Sequence, residues 1–448
     1  LQGSQPGIRT ILCKHGARSH HPRMPANRMS PASSYYLATA PAVPRAPLTT
    51  PVDTRVAIVG AGFAGLASAR GLQERGVRDL VVLEAETVGY GASGRNGGFV
   101  FGGYSLEGSE LVRQIGAQAA RSLHALSNAA VERIRTRIEQ HAIACDRIEG
   151  GALLANWFKD DSALHRMADE ARAHLGIELE YVEPARMRDW LDTKRYAGGL
   201  FERQAFHFHP LKYAQGLARL IESDGGRIYE ASPVHSIARD GAGWLVRTRD
   251  GAVRAEHVLI AGGGYLHSVL PALERARLPI ATYVMVTEPL GTRTPIRSAA
   301  AIFDTRFAFD YYRMLPDTRL LWGGRISIRG REPRDISKLL RRDLLKVYPQ
   351  LADARIDFAW GGWMSYARHK MPQIGALAPG LWFAQAFGGH GVAPTTVAGE
   401  LLAGAIADRE SLPVALSRYG LTPVFGKLGL LAAQATYSAL TLRDALRR

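Results

Sequence analysis

The stretch Arg55-Val-Ala-Ile-Val-Gly60-Ala-Gly-Phe-Ala-Gly65-Leu-Ala-Ser-Ala-Arg70-Gly-Leu-Gln-Glu-Arg75-Gly-Val-Arg-Asp-Leu80-Val-Val-Leu-Glu84 decides the fold. An apolar run (55–60) ends in glycine. Residues 61–75 then bring Phe63, Leu66, Ala67 and Leu72 near helical spacing, and Gly76 closes the turn. A second β-rich run (79–84) ends in an acid. Strand, helix and strand fill about thirty residues, the length of one βαβ unit. Within it Gly60, Gly62 and Gly65 form a G-x-G-x-x-G: the first for a tight turn, the second for close approach of backbone to a pyrophosphate, the third for helix-on-sheet packing, with Phe63 and Ala64 at the helix start. The N–H groups of that start suit a phosphate. Glu84, followed by Ala85, stands where an acid accepts hydrogen bonds from ribose hydroxyls, which argues for an unphosphorylated ribose. The unit alone does not separate a flavin from a nicotinamide dinucleotide.

Two further glycine regions bear on that choice. Gly89-Tyr-Gly91-Ala92-Ser93-Gly94-Arg95-Asn96-Gly97-Gly98 follows the acid closely and can press backbone against a flat ligand; the alternative is a flexible surface loop. Phe387-Gly388-Gly389-His390-Gly391-Val392-Ala393-Pro394 leads into an apolar C-terminal helix, whose start would aim partial positive charge at whatever lies above it. That arrangement suits a flavin, because reduction leaves negative charge on the ring.

Around these signals the chain has room for two or three domains: 448 residues, 46% hydrophobic and 22% charged. No run is apolar enough to span a bilayer. Cys13 and Cys145 make neither a disulfide framework nor a zinc pattern, so a reducing compartment, the cytoplasm, is expected and no metal is. The net charge is +15, but residues 1–55 hold seven basic residues against Asp53 alone, and the remaining excess is scattered arginine. With no basic stripe, nucleic acid is not the expected partner. Residues 1–33 read as a disordered leader, a tag remnant or a targeting segment.

Helices are predicted within 106–141, 162–175 and 211–224, and strands around 227–231, 234–238, 244–248 and 257–261, the last running into Gly262-Gly263-Gly264. Residues 280–329 alternate as an antiparallel sheet, with strands at 283–287, 307–312 and 320–324. The expected fold is α/β: a Rossmann-like dinucleotide domain from 53–105, 200–270 and 365–420, interrupted by an α+β substrate domain from 106–199 and 271–364 that contains the antiparallel sheet. Residues 421–448 form a C-terminal helix with Phe425, Leu428, Leu431 and Leu442 near helical phase and basic ends. Docking on its own protein is the expectation there, with contact to a membrane surface the alternative.

The segments 34–40 (Ser-Tyr-Tyr-Leu-Ala-Thr-Ala), 91–98, His209-Pro210, Thr287-Glu-Pro-Leu290, Asp310-Tyr-Tyr-Arg313, Leu320-Leu-Trp-Gly-Gly-Arg325 and Gly388-Gly-His-Gly391 occur here in an order that resembles the FAD-dependent amino acid oxidase superfamily, most closely its γ-glutamylputrescine oxidase group. The resemblance implies an FAD domain of the glutathione-reductase type and an antiparallel sheet roofing the flavin. It also implies hydride transfer from the carbon beside an amine nitrogen to flavin N5, imine hydrolysis, and reoxidation by O2 to give H2O2. Val234 resembles the family's backbone contact to adenine, and Gly262 closes a strand near the cofactor. Two departures matter. Residues 360–366, matching the stretch that carries a flavin-linked thiol in sarcosine oxidases, lack cysteine, so FAD is expected to be bound non-covalently. Val392-Ala393 stand where those relatives keep a lysine for the substrate α-carboxylate, which moves the expected substrate toward an amine whose carboxylate is remote or absent.

Arg325, His390, Tyr312 and Arg313 are the expected catalytic residues, with Tyr311 beside them. Arg325 would be a cation near N5, His390 a hydrogen-bond partner of cofactor or substrate, and the tyrosines and Arg313 a wall and a carboxylate partner. Packing within a solvated strand is the alternative for the tyrosines and arginines, and fixing of loop backbone the alternative for His390. His207 and His209 read as structural rather than metal-binding. Two other functions stay open: a flavin dehydrogenase passing electrons to a quinone or carrier protein, and a flavin enzyme acting on RNA.

Overall fold

The computed structural model describes residues 34–40, 43–266 and 269–447, so the leader expected at 1–33 lies outside the described residues. Val52–Val59, the apolar run of the opening motif, sits at the centre of an eight-stranded sheet. It pairs in parallel with Leu80–Leu83 on one side and Ala252–Ile260 on the other; Arg227–Tyr229 and Leu381–Gln385 extend the parallel set to five strands. Parallel strands covered on both faces must be apolar throughout, and Val56, Ala57 and Ile58 are fully buried. Gln373–Ala378 adds an antiparallel edge, and the hairpin Ser236–Asp240/Gly243–Arg247 pairs with the first half of Ala252–Ile260.

Helices Phe63–Glu74 and Val392–Ala407 pack on one face of this sheet. Their contact is close because a Cβ on Gly399 would lie 2.7 Å from that of Ala67. The long helix Ala117–Gln140 braces the pair through Arg137, which is 1% exposed and bonds Glu74 (Nε to Oε1, 3.0 Å) and Glu400.

A second eight-stranded sheet runs in the order Ile356–Tyr366, Leu278–Thr287, Leu320–Ser327, Tyr311–Met314, Ala301–Asp304, Ala152–Ala155, Gly199–Glu202, Glu180–Val182. Every pairing is antiparallel except Ala301–Asp304 with Ala152–Ala155. Helix Pro333–Val347 covers one face, burying Ile336, Leu340 and Leu344 against Tyr312, Trp322 and Met285. Gly199–Glu202 belongs to this sheet, although residues from 200 onward are expected in the first. The strand expected at 307–312 begins only at Tyr311. Arg306 turns back to Asp304 (Nε to Oδ1, 2.8 Å) and Asp310 (2.5 Å), and this buried ion cluster folds the preceding residues into a loop.

Candidate active site

The glycine-rich segments meet at the carboxyl ends of the five parallel strands. Gly60, at φ +107°, could not carry a side chain: its Cβ would lie 2.8 Å from the Ala261 carbonyl oxygen and 3.3 Å from Gly262 Cα. The turn after Val52–Val59 thus lies directly on the turn after Ala252–Ile260. A methyl group on Gly65 would collide with the Gly60 carbonyl, which is the helix-on-strand approach its place in the motif requires. Helix Phe63–Glu74 starts at Gly62, which has no side chain to cap it, and carries no acid in its first turn. Glu84 accepts from the N–H of Ala61 (2.7 Å) and of Glu86 (3.0 Å), so the acid is anchored against the first turn, with Ala85 next to it in the chain. Burial raises the pKa of its carboxyl against these two bonds. Ser232 donates its N–H to the Glu84 carbonyl (2.8 Å), which brings the segment carrying Val234 to the same edge.

Residues 91–98 wrap this edge. Gly91 lies against the Tyr265 ring, and Ala92 and Ser93 form a tight turn in which Ser93 Oγ accepts from Phe63 N–H (2.8 Å). Arg95 spends its guanidinium on the Tyr90 carbonyl (2.7 Å) and the face of the Tyr90 ring (4.6 Å). Asn96 shapes the turn, donating to Ser93 O (2.8 Å) and accepting from Gly98 N–H (2.8 Å). A Cβ on Gly97 would meet the Tyr311 ring at 2.7 Å, so the roof sheet rests on this loop.

The third segment closes the arrangement. His390 donates its N–H to Ser105 Oγ (3.1 Å) and stands edge-on to Phe101 (4.3 Å), with Nε2 3.3 Å from the Phe101 carbonyl. Burial lowers its pKa to about 4, so the imidazole is neutral near pH 7 and acts through hydrogen bonds rather than charge. A Cβ on Gly389 would lie 2.7 Å from the Tyr366 hydroxyl. Gly391 caps helix Val392–Ala407, and Val392 and Ala393 open it; like the first helix it has neither a side-chain cap nor an acid in its first turn.

The structure commits three of the four expected catalytic side chains to other partners. Tyr312 points to the covered face of the roof sheet, 0% exposed and stacked on Trp322 (4.3 Å, 2°), with its hydroxyl on Tyr196. Arg313 points to the opposite face but is fully occupied: Nε donates to Gly97 O (2.7 Å), Nη2 to Phe208 O (2.8 Å) and Tyr36 Oη (3.3 Å), and Nη1 meets His207 Nδ1 (3.3 Å). Arg325 is redirected by a β-bulge. Thr282 pairs with Ile326 and Tyr283 with Gly324, so Arg325 is the unpaired extra residue, at φ +57°. Without the bulge, strand alternation would place it on the Tyr311 face. With it, the guanidinium binds Asp343 of the covering helix twice, each at 2.7 Å. His207 and His209 are structural: Nε2 of the first meets Ala299 O (2.9 Å), the second caps helix Pro210–Ser223, and burial lowers both to about 3. Among the described residues no group of three or more His, Cys, Asp or Glu could hold a metal.

Sequence reasoning missed a circuit of rings beside Gly97 and His390. Phe99 and Phe101 are 6.5 Å apart; Phe101 stacks on Phe303 (5.6 Å, 11°), Phe303 meets Phe309 (6.4 Å), Phe309 meets Tyr311 (6.3 Å), and Tyr311 returns to Phe99 (5.6 Å). Phe309 is 43% exposed, so the circuit reaches the surface. The phenylalanine pairs at 99/101 and 307/309, two residues apart, were the available signal.

Loops converging on the carboxyl edge of a parallel sheet, beside a glycine-capped helix start and an acid at the end of the second strand, define a dinucleotide-binding protein, and the roof sheet lies over the same loops. Residues 55–405 match the model of the FAD dependent oxidoreductase family (DAO), and the chain belongs to that family. It is 37% identical over 376 residues to γ-glutamylputrescine oxidoreductase of Escherichia coli (strain K12), covering 83% of this chain and 88% of that protein. It is 34% identical over 378 residues to a probable oxidoreductase, OrdL, of Haemophilus influenzae (82% and 86%). Among solved structures it resembles glycine oxidase from Geobacillus kaustophilus (TM-score 0.68, 22% identity, 83% of this chain and 99% of that one) and L-proline dehydrogenase from P. horikoshii (TM-score 0.68, 16% identity, 83% and 100%). These two likenesses bear on the fold alone.

The residues present fit FAD. Two helix starts with glycine at the N-cap and no acid in the first turn could offer N–H groups, one to a pyrophosphate through the amides beyond Phe63, whose own N–H is held by Ser93 Oγ, and one to the carbonyl edge of a flavin, and Glu84 could accept from ribose hydroxyls.

Proposed function

We propose that this FAD-dependent oxidoreductase removes a hydride from the carbon beside the amine nitrogen of a substrate whose carboxylate is remote or absent, γ-glutamylputrescine being the leading candidate. FAD supplies the hydride acceptor. The circuit Phe99–Phe101–Phe303–Phe309–Tyr311 carries the reading: five uncharged rings adjoin two cofactor loops. Such a wall suits a polymethylene chain, and the absence of lysine at Val392-Ala393 removes the clamp an α-amino acid would use.

The rings also set the protonation state of the substrate. Excluding water from an ammonium group lowers its pKa by several units, whereas cation–π attraction returns about 2 kcal/mol or somewhat more, roughly 1.5 units. Desolvation is the larger effect, so the amine's pKa moves down toward neutral, which eases the proton loss that hydride transfer requires. Tyr366, whose hydroxyl lies beside Gly389, is pushed up to about 12 by burial and stays a hydrogen-bond donor. Arg313, through Gly97, is a positioning residue, and His390 holds the third loop to Phe101 and Ser105.

Reoxidation by O2 is the first reading for the acceptor. The withdrawal of Arg325 to Asp343 favours a second, a dehydrogenase with another acceptor, because the cation expected beside N5 is engaged elsewhere. Anaerobic bleaching of the bound flavin by a panel of γ-glutamylated amines, simple amines and α-amino acids tests the substrate class. Bleaching by the first group at rates far above the α-amino acids is expected, and the reverse order refutes it. Oxygen consumption during turnover separates the two acceptors.

A further inference from the structure

Helix Gly426–Leu446 leaves one whole face uncovered. Its inner side is fastened by Tyr437, Gln434 and Asp444, which accept N–H groups of Ile326 (3.3 Å), Ile328 (3.2 Å) and Phe307 (2.6 Å). At 100° per residue the outer side gathers Leu428, Leu431, Ala435, Leu442 and Leu446 into one stripe, about 27 Å long at 1.5 Å per residue. The four leucines are 59–74% exposed, and Phe425 at the helix start is 68% exposed. Self-docking, the expectation from sequence, therefore covers only half of the helix. Among the described residues no helix is long and apolar enough to cross a membrane, so the stripe is a surface and not a span.

Charge selects the occupant. Lys427 flanks the stripe on one side and Arg443 on the other, Arg447 just beyond the helix lies over the Phe158 ring (4.3 Å), and the only acid of the helix, Asp444, is turned inward and buried under Phe307. A second copy laid antiparallel on the leucines would bring a further Lys427 and Arg443 to the same seam, with no outward acid on the helix to offset them. An anionic lipid surface meets the same pattern with opposite charge: leucines enter the headgroup boundary and the flanking cations meet phosphates. We propose that this face docks peripherally on an anionic membrane. The inner side of the docking helix also holds the loop that carries Phe309, through Asp444 on Phe307 N–H and the Tyr437 ring 6.0 Å from Phe307, so one helix thickness, about 10 Å, would separate the membrane from the exposed end of the aromatic circuit.

The test is co-sedimentation of the full chain, loaded with FAD, with vesicles of phosphatidylcholine alone and of phosphatidylcholine mixed with phosphatidylglycerol. Binding is expected to the mixed vesicles only, to weaken as salt rises, and to fall about fivefold for Lys427→Gln and again for Arg443→Gln. Leu428→Glu with Leu442→Glu should abolish it while the far-UV circular dichroism is unchanged; the two charge variants, on exposed side chains, keep the test valid if that double variant misfolds. No binding to the mixed vesicles, or equal binding to both kinds, overturns the proposal. So does a concentration-dependent dimer in analytical ultracentrifugation that Leu428→Glu dissolves, because the face would then belong to a second copy.

Discussion

Replacing Arg313 by methionine should unfold the protein more than it impairs the chemistry. The side chain is 1% exposed and donates to two buried carbonyl oxygens, Gly97 at 2.7 Å and Phe208 at 2.8 Å. Hydrogen bonds from a charged donor contribute about 1.5–3 kcal/mol each, so losing these two costs about 3–6 kcal/mol. Tyr36 Oη and His207 Nδ1 lose a partner as well. Against a total stability of about 5–15 kcal/mol, that is a large share. The assay is urea unfolding with FAD in excess, paired with turnover measured per bound flavin. The account expects a strongly lowered unfolding midpoint, weaker FAD retention because the Gly97–Gly98 turn is no longer pinned, and turnover within about tenfold of the parent in the fraction that keeps flavin. Arg313→Lys should rescue little, since one ammonium group cannot replace a planar fork. An unchanged midpoint with kcat/KM down about a thousandfold would refute the reasoning and make Arg313 a substrate ligand after all.

Gly65→Ala places a methyl group into the Gly60 carbonyl and should weaken FAD binding about a hundredfold or more, near 2.7 kcal/mol, as read by flavin fluorescence titration. Phe309→Ala opens the exposed end of the aromatic circuit; kcat/KM for amines with a long methylene chain should fall about tenfold and that for short amines little, in steady-state kinetics. Asp310 shares Arg306 with Asp304, and burial raises its pKa to about 7. A carboxyl raised above its unfolded value contributes stability that is full below pH 4 and is lost as pH rises through 7. Urea unfolding of the parent between pH 5 and 8 should therefore show this loss, and Asp310→Asn should flatten it; an identical slope in both would contradict the assignment.

The dinucleotide edge was legible because its constraints are local. Gly65 has no space for a Cβ because of the Gly60 carbonyl, and Glu84 accepts from Ala61 N–H, both within one strand–turn–helix–strand unit, whereas the block at Gly60 comes from the distant Ala261 and only the motif announced it. The roof was less legible, since strand alternation says which residues share a face but not which face is which. Tyr311 and Tyr312 are adjacent, and only the packing of Pro333–Val347 on one side decides that Tyr312 is core and Tyr311 faces the loops. A bulge is harder still: a single extra residue opposite Thr282 and Tyr283 reverses the aim of Arg325, and nothing in Leu-Leu-Trp-Gly-Gly-Arg marks it. Arg313 misled for a different reason. A buried arginine with carbonyl partners looks, in sequence, the same as one that awaits a carboxylate. The aromatic circuit joins residues 99–101 to 303–311, a pairing across two hundred positions that periodicity does not report.

The convergence of the three glycine segments on one flavin is tested most directly by titrating the purified apoprotein with FAD, recording the visible spectrum, then denaturing the complex. The account predicts uptake of one FAD per chain with a resolved flavin band, loss of that uptake in Gly65→Ala, and complete release of the flavin into the supernatant on denaturation. A chain that stays colourless, or one that takes up a nicotinamide dinucleotide in its place, would contradict it.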